Sequence, residues 1–289
     1  MRFPAPSCML RSMIDFHTHS TCSDGTLKPA DLVALAARKG VTALALTDHD
    51  TTSGLAEARE AAEKQGLVFI NGIELSVEVS RGEFHLLGLG LKTNLHVLEK
   101  RLQQILDYRN DRNRQMVDMM NREGITVTYE EISRLAGDKV VGRPHFAAYL
   151  VNRGVCDTSQ EAFQKFLTPG RPFYMPKQVL TLEEGAERIL TAGGIPVVAH
   201  PLSLQLNLTD LEARIPRWKD LGIGGLETMH PSANRNRTRR LREMAERNGL
   251  LSVAGSDFHG DNMPNRRLGR TGWGTRIPPS YDEVVRRFL

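Results

Sequence analysis

Six of the nine histidines in this 289-residue chain, His17, His19, His49, His85, His200 and His259, occupy strand-linked positions with acidic residues nearby. His17 and His19 form an H-x-H pair, Asp48, His49 and Asp50 are consecutive, Glu74 follows an apolar run, and Asp257 and His259 flank a phenylalanine. On extended backbone, side chains alternate with a period of two, so His17 and His19 point to the same side and can reach one ion. Imidazole and carboxylate donors together suit zinc, manganese or iron, and more than four of them in one pocket imply more than one metal. Glu74 has two oxygens with which to bridge two ions. Taken singly, each motif is more often ordinary polar packing than a ligand. Their joint recurrence favours metal chemistry, because scattered core histidines would not sort this way.

Strands must position these residues. The apolar runs MIDF, VTALALT, LVFINGI, FHLLGLGL, GIPVVA, GIGGLE and LLSVAG alternate with amphipathic helical stretches, the pattern of a parallel α/β architecture. The ligand-type residues stand at or just after the ends of these runs, and in a closed parallel barrel those ends form one face, where active sites gather. His85 instead opens a run, and periodicity does not explain its placement. Helix starts are marked by Thr128, Thr158, Thr181, Thr209 and Ser280, each followed three residues later by glutamate, the capping-box spacing. Gly40, Gly66 and Gly249 stand where helices should stop. From about Leu95 to Pro176 the alternation gives way to helical patterns with no convincing strand. The first helix there, about Leu95 to Arg122, carries Leu95, Leu98, Leu102, Ile105, Met116 and Met120 at helical spacing, with Arg109, Arg112 and Asn113 on another face. The expected organisation is a barrel from 13–94 and 177–289 with a helical insertion at 95–176. Residues 1–12 lack the apolar segment of a secretory signal and read as a disordered leader.

Composition excludes several classes. The chain is 40% hydrophobic and 25% charged with a mean hydropathy of -0.33, and no apolar run approaches the roughly 20 residues of a membrane span. Cys8, Cys22 and Cys156 are odd in number and widely spaced, against a disulfide framework or a CxxC site, so a cytoplasmic setting is expected. A net charge of +4 is less than a dedicated nucleic-acid binder shows. The arginines at 235, 237, 239, 240, 242 and 247 are opposed only by Glu243 and Glu246; such runs more often solvate a helix face than bind phosphate.

The stretches DFHTHSTCSDGTL (15–27), ALTDHDTTSG (45–54), NGIELS (71–76), HLLGLGL (85–91), AHP (199–201) and GSDFHG (255–260) resemble, in order, the motifs of the polymerase-and-histidinol-phosphatase (PHP) family of metal-dependent phosphoesterases. The resemblance implies an α/β fold, a distorted seven-stranded (β/α) barrel with a helical insertion, holding two to three divalent metal ions (Mn, Zn or Fe). It implies one ion on His17, His19, Glu74 and Asp257, a second on Glu74, His85 and His200, and a third on Asp24, His49 and His259. Those last three are also the residues it implies for catalysis, and Asp24 stands where some relatives have histidine.

The insertion and the segment GRPHFAAYL (142–150) resemble the subgroup of nucleoside 3',5'-bisphosphate phosphatases and 5'-to-3' exoribonucleases. This implies a phosphorylated nucleotide or short RNA as substrate, with the insertion as a lid. Arg143 is implied as a phosphate contact; Arg109, Arg112, His145 and His230 are further substrate candidates, His145 being equally a helix cap. Relatives usually read His-Pro-Gly-Arg where this chain has His200, Pro201, Leu202 and Ser203, which removes one arginine. The expected chemistry is in-line attack by a metal-bridging hydroxide, with no GxSxG or P-loop motif to offer another route. No protein partner or membrane is implied. The rival readings are a histidinol-phosphate phosphatase and a non-catalytic module that binds a phosphorylated partner.

Overall fold

The structure, a computed structural model, describes residues 13–79, 81–137, 141–271, 274–277 and 282–288. The expected leader at 1–12 and the cap at Ser280 lie outside them. Seven strands, β1 (Met13–Asp15), β2 (Val41–Leu46), β3 (Val68–Val77), β4 (Phe84–Leu89), β5 (Ile195–Val198), β6 (Gly225–Met229) and β7 (Leu251–Ala254), form one sheet in sequence order. The two edges are joined as well: Phe16 N–H donates to Ala254 O at 3.2 Å and Asp257 N–H to His17 O at 2.8 Å.

The sheet is parallel except at one strand, where the distortion of the expected seven-stranded barrel lies. β4 runs antiparallel to both β3 and β5, with Ser76 opposite His85 and Glu74 opposite Leu87. Only six residues separate β3 from β4, which permits a hairpin and not a parallel crossover. Because β4 is reversed, its first residues lie at the same end of the sheet as the last residues of its neighbours. That is how His85, at a strand start, joins residues from strand ends.

Inward-facing residues alternate along the strands. Ile14, Phe16, Ala43, Ala45, Leu87, Leu89, Val197 and Ala199 form one buried core, which includes Phe288, whose ring meets Phe16 edge-on at 5.7 Å. Leu44 and Leu46 face the other way into a second core with Leu32, Val33 and Ala58.

The helices are α1 (Pro29–Lys39), α2 (Leu55–Gln65), α3 (Leu95–Arg122), α4 (Tyr129–Ala136), α5 (Arg143–Asn152), α6 (Ser159–Ala162), α7 (Leu182–Thr191), α8 (Leu208–Glu212), α9 (Ile215–Asp220), α10 (Arg235–Arg247) and α11 (Asp282–Phe288). Thr128, Thr158 and Thr181 cap α4, α6 and α7 through their side chains. Thr209 does not cap: Asn207 does so for α8, accepting from Asp210 N–H, and Glu212 pairs with Arg247 instead. Gly40 and Gly66 end α1 and α2 in the left-handed region.

The described residues up to Glu99 and from Leu180 onward make one compact unit, and Lys100–Val179 another. The second unit has its own core around Met116, Met120, Ile132, Phe146, Leu150 and Phe173. Arg112 and Asn113 on α3 are 5% and 0% exposed, and Asn113 donates to Val141 O at 2.9 Å.

Candidate metal centre

All nine ligand candidates come together at one end of the sheet, in the first unit. β1 ends at Asp15 and the chain bends at Phe16, so His17 and His19 project from an extended segment paired with Phe258. Gly255 is required there, because a Cβ at that position would run into the side chain of His17. Asp50, His200 and Asp257 take positive φ angles of 51°, 24° and 50°, a backbone cost that clusters at functional sites.

Glu74, fully buried on β3, is the hub. Its Oε2 lies 3.1 Å from His17 Nε2, 3.2 Å from His19 Nε2 and 3.3 Å from His49 Nδ1. Its Oε1 lies 2.9 Å from both His85 Nδ1 and His200 Nε2. Asp257 Oδ1 is 3.3 Å from His17 Nε2 and 3.2 Å from His19 Nε2. Asp24 Oδ1 is 3.1 Å from His259 Nε2, and Asp24 Oδ2 is 4.0 Å from His49 Nε2. Donor atoms of His17, His19, Glu74 and Asp257 form one close group, those of His19, Asp24, His49 and His259 a second, and those of His49, Glu74 and His85 a third. His200 adjoins the third through Glu74 and His85, with 3.3 Å between the two ring nitrogens. His49 therefore approaches Glu74 as well as Asp24.

These residues fit divalent ions on three physical grounds. The first is spacing: donors around a tetrahedral ion at about 2.0–2.1 Å sit about 3.3 Å apart, and the His17, His19, Glu74 and Asp257 contacts run from 3.1 to 3.3 Å. The second is tautomer. His17 Nδ1 faces Glu227 Oε1 at 3.0 Å and His259 Nδ1 faces the carbonyl of Asp257 at 2.8 Å. His200 Nδ1 faces Ser203 Oγ at 2.8 Å, whose own proton goes to Glu83 O at 2.9 Å. In each case the acceptor holds the proton on Nδ1 and leaves the Nε2 lone pair aimed inward. The third is satisfaction: both ring nitrogens of His19 and Nε2 of His259 are buried without an aligned hydrogen bond, which costs about 1–3 kcal/mol per group unless something coordinates them.

Charge follows from the packing. Burial opposes a charged imidazole at His17, but Glu74 and Glu227 outweigh it and push its pKa up to about 10. Burial works against Glu74 as well, and His49, His17 and His85 hold it well below the carboxylate range. Burial drives His49 and His230 down to about 3. A divalent ion would replace the proton that His17 otherwise holds.

Several contributors escaped the sequence reading. Glu227, 0% exposed on β6, orients His17 and accepts His200 N–H at 2.6 Å; a glutamate inside an apolar strand was the signal. Asp15 accepts from Ser256 and Gly269 N–H and so fixes the loop that carries Asp257. Asp48, which the sequence marks beside His49, serves the site indirectly: it accepts from Ser20 N–H and from the hydroxyls of Ser20 and Ser23, which shapes the Asp24 loop. Arg266 is ion-paired with Asp257 and donates to its carbonyl at 3.1 Å.

Of the substrate candidates, His230 is in this unit. Ser232 N–H donates to its Nδ1 at 3.1 Å, so Nε2 carries the proton and gives it to Asp257 Oδ2 at 3.1 Å. Arg109, Arg112, Arg143 and His145 belong to the helical unit. Arg143 donates to Leu167 O at 3.1 Å and lies over the rings of Tyr174 and Phe163. Burial lowers the pKa of Arg112, and Arg109 and Arg143 lower it further. His145 Nδ1 accepts Gly142 N–H at 2.9 Å and completes the cap of α5.

Sheet, site and similarity together define the class: a hydrolase acting on phosphate esters with divalent metals. The chain belongs to the PHP domain family, whose pattern matches residues 15–167. It is 37% identical over 259 residues to the 3',5'-nucleoside bisphosphate phosphatase of Chromobacterium violaceum, covering 89% of this chain and 91% of that one. It is 33% identical over 261 residues to the 5'-3' exoribonuclease Rnm of Escherichia coli, covering 90% and 89%. Among solved structures, an amidohydrolase from Chromobacterium violaceum with bound sulfate and no metal superposes with a TM-score of 0.73 at 34% identity, covering 95% of this chain and 96% of that one. An assigned metal-dependent phosphoesterase from Bifidobacterium adolescentis gives 0.72 at 28% identity, covering 96% of each. No helix among the described residues is long and apolar enough to cross a membrane.

Proposed function

We propose that this PHP phosphoesterase removes the 3'-phosphate of nucleoside 3',5'-bisphosphates and that the same site trims short RNA from its 5' end. The observation that carries the metal chemistry is Glu74, whose two oxygens face different sets of histidines. In this reading His17, His19, Glu74 and Asp257 hold one ion, Glu74, His85 and His200 a second, and Asp24, His49 and His259 a third. Manganese, zinc or iron fits such mixed nitrogen and oxygen donors. When bound, the metals supply an acidified water and neutralise phosphoryl charge.

The protein's own part is to hold and orient the donors. Glu227 and the Asp257 carbonyl keep inward lone pairs on His17 and His259. His230, neutral through burial, is a hydrogen-bonding contact for the substrate. Arg109 and Arg143 add like charge beside Arg112, and a guanidinium fork suits a phosphate. His145 is assigned to the same substrate surface while capping α5. The relatives' substrates support the nucleotide class. A reducing cytoplasm is the proposed setting, in keeping with the free thiols of Cys22 and Cys156.

The test is release of inorganic phosphate from adenosine 3',5'-bisphosphate, set beside mononucleotide release from a short 5'-phosphorylated RNA, with histidinol phosphate as the competing substrate. Turnover of the first, the second or both supports the reading. Preference for histidinol phosphate, or turnover of none, overturns it.

A further inference from the structure

A cavity of about 570 Å³ opens over the metal centre in the first unit, lined by Glu74, Asp257 and the clustered histidines. Its other lining residues include two arginines, Arg266 and Arg237. Arg266 is committed to Asp257. Arg237 is different: it is exposed, and among the described residues its guanidinium has no carboxylate within ion-pair reach and no hydrogen bond.

Arg237 also stands apart from the other arginines of α10. Arg239 is paired with Glu243 at 2.9 Å and Arg247 with Glu212 at 2.5 Å. Arg235, Arg239 and Arg242 line a separate groove with Glu243 and Glu246. Among the described arginines of this helix, Arg237 is the one that lines the metal cavity. Its backbone is fixed there, because its N–H donates to the capping Asn234 at 2.9 Å. The preceding turn is tied to the metal centre through Ser232, whose Oγ is 2.7 Å from His230 Nδ1, and His230 in turn meets Asp257. Leu202 and Ser203, from the loop after β5, bring no charge to the cavity, and Glu83 brings a negative one.

A phosphate ester held on the metals extends away from them, and any second anionic group it carries needs a cation at the cavity wall. We propose that Arg237 is that cation: a specificity-determining residue that grips the phosphate the enzyme does not hydrolyse. This rests on the phosphoesterase reading above and names the group that selects substrates with two phosphates. The second phosphate is either the free monoester of a nucleoside bisphosphate or the next diester of an RNA chain, and the chemistry of recognition is shared.

The experiment compares wild type, Arg237→Ala and Arg237→Lys as manganese-loaded proteins. The readout is the ratio of kcat/KM on adenosine 3',5'-bisphosphate to that on adenosine 3'-monophosphate. The alanine variant should lower this ratio about 10- to 100-fold, the scale of a lost charged hydrogen bond, and lysine should recover part of it. Calorimetric affinity for adenosine 5'-monophosphate should fall by a similar factor, with the metal content of wild type. A short RNA with a 5'-hydroxyl, whose phosphates are all diesters, forms the second arm. Loss on the bisphosphate alone assigns Arg237 to a free monoester, and loss on both assigns it to either phosphate. An unchanged ratio with unchanged nucleotide affinity overturns the proposal, as does an equal loss on the monophosphate. If wild-type enzyme does not turn over the bisphosphate, the substrate reading fails by itself, and the nucleotide affinity still decides the role of Arg237.

Discussion

Glu227 holds His17 and His200 at once: one carboxylate oxygen lies 3.0 Å from His17 Nδ1 and the other accepts His200 N–H at 2.6 Å. A single buried acid thus orients histidines assigned to two different ions. Glu227→Gln preserves the shape, but its amide presents an N–H₂ where one of these contacts needs an acceptor. Metal affinity should fall about 10- to 100-fold, the usual effect of losing an outer carboxylate partner. Titration against a chromophoric chelator measures it, and wild-type affinity would remove Glu227 from the metal site.

Removal of metal should abolish hydrolysis. Water is not a competent nucleophile at neutral pH without Lewis-acid help. Exhaustive chelation followed by manganese or zinc should take activity to background and back. Full activity in protein shown by elemental analysis to be metal-free would contradict the assignment.

His17, Glu74 and Asp257 share their closest donors within 3.1 to 3.3 Å, so alanine at any one removes a side of the same ion. Each replacement should reduce kcat by several orders of magnitude. Glu74→Ala should be the most damaging, because its two oxygens face both sets of histidines. Losses of tenfold or less at all three positions would place the reaction elsewhere.

The metal-free protein should be most stable near pH 6.5. His17, raised from 6.5 to about 10, holds a proton in the folded state that the unfolded chain releases; its contribution is present below 6.5 and is lost as pH rises toward 10. His49 and His230, lowered to about 3, contribute above 6.5, and that contribution is lost as pH falls from 6.5 toward 3. Urea unfolding of metal-free protein from pH 4 to 9 should trace a maximum between these limbs, and metal should flatten the alkaline one by taking the place of the His17 proton. A stability that rises steadily to pH 9 without metal would contradict the charge assignment at His17.

The ligand types and most strand positions were legible in the sequence because each depends on local pattern: apolar runs, then histidine or carboxylate at their ends. His85 was not, because its place depends on the direction of β4, which is a matter of pairing with β3 and β5 and leaves no mark in periodicity. Glu227 and Asp15 were hidden inside apolar runs, and their roles rest on partners 210 and 241 residues away in sequence. The burial of Asn113 on α3 left no mark either, because it answers to a carbonyl 28 residues away. At α8, Asn207 stands on extended backbone just before the helix and caps it, which leaves Thr209 inside the helix.

Arg143 tests whether the helical unit contributes to substrate choice. Its guanidinium donates to Leu167 O and lies 5.6 Å from the Tyr174 ring centre, so part of its fork is already committed to its own unit, and the like charges of Arg109 and Arg143 act on Arg112 together. Like charges acting on one another in this way favour an anion beside them. If that anion is a substrate phosphate, Arg143→Ala should lower the ratio of kcat/KM on a nucleoside 3',5'-bisphosphate to that on an aryl phosphate by about 10- to 100-fold. Using the ratio cancels general damage to the metal centre. Thermal unfolding of the same variant reports the lost Leu167 contact separately, since that contact is structural. An unchanged ratio beside a lowered unfolding temperature would confine Arg143 to holding its own unit together and leave the substrate's phosphates to residues of the sheet.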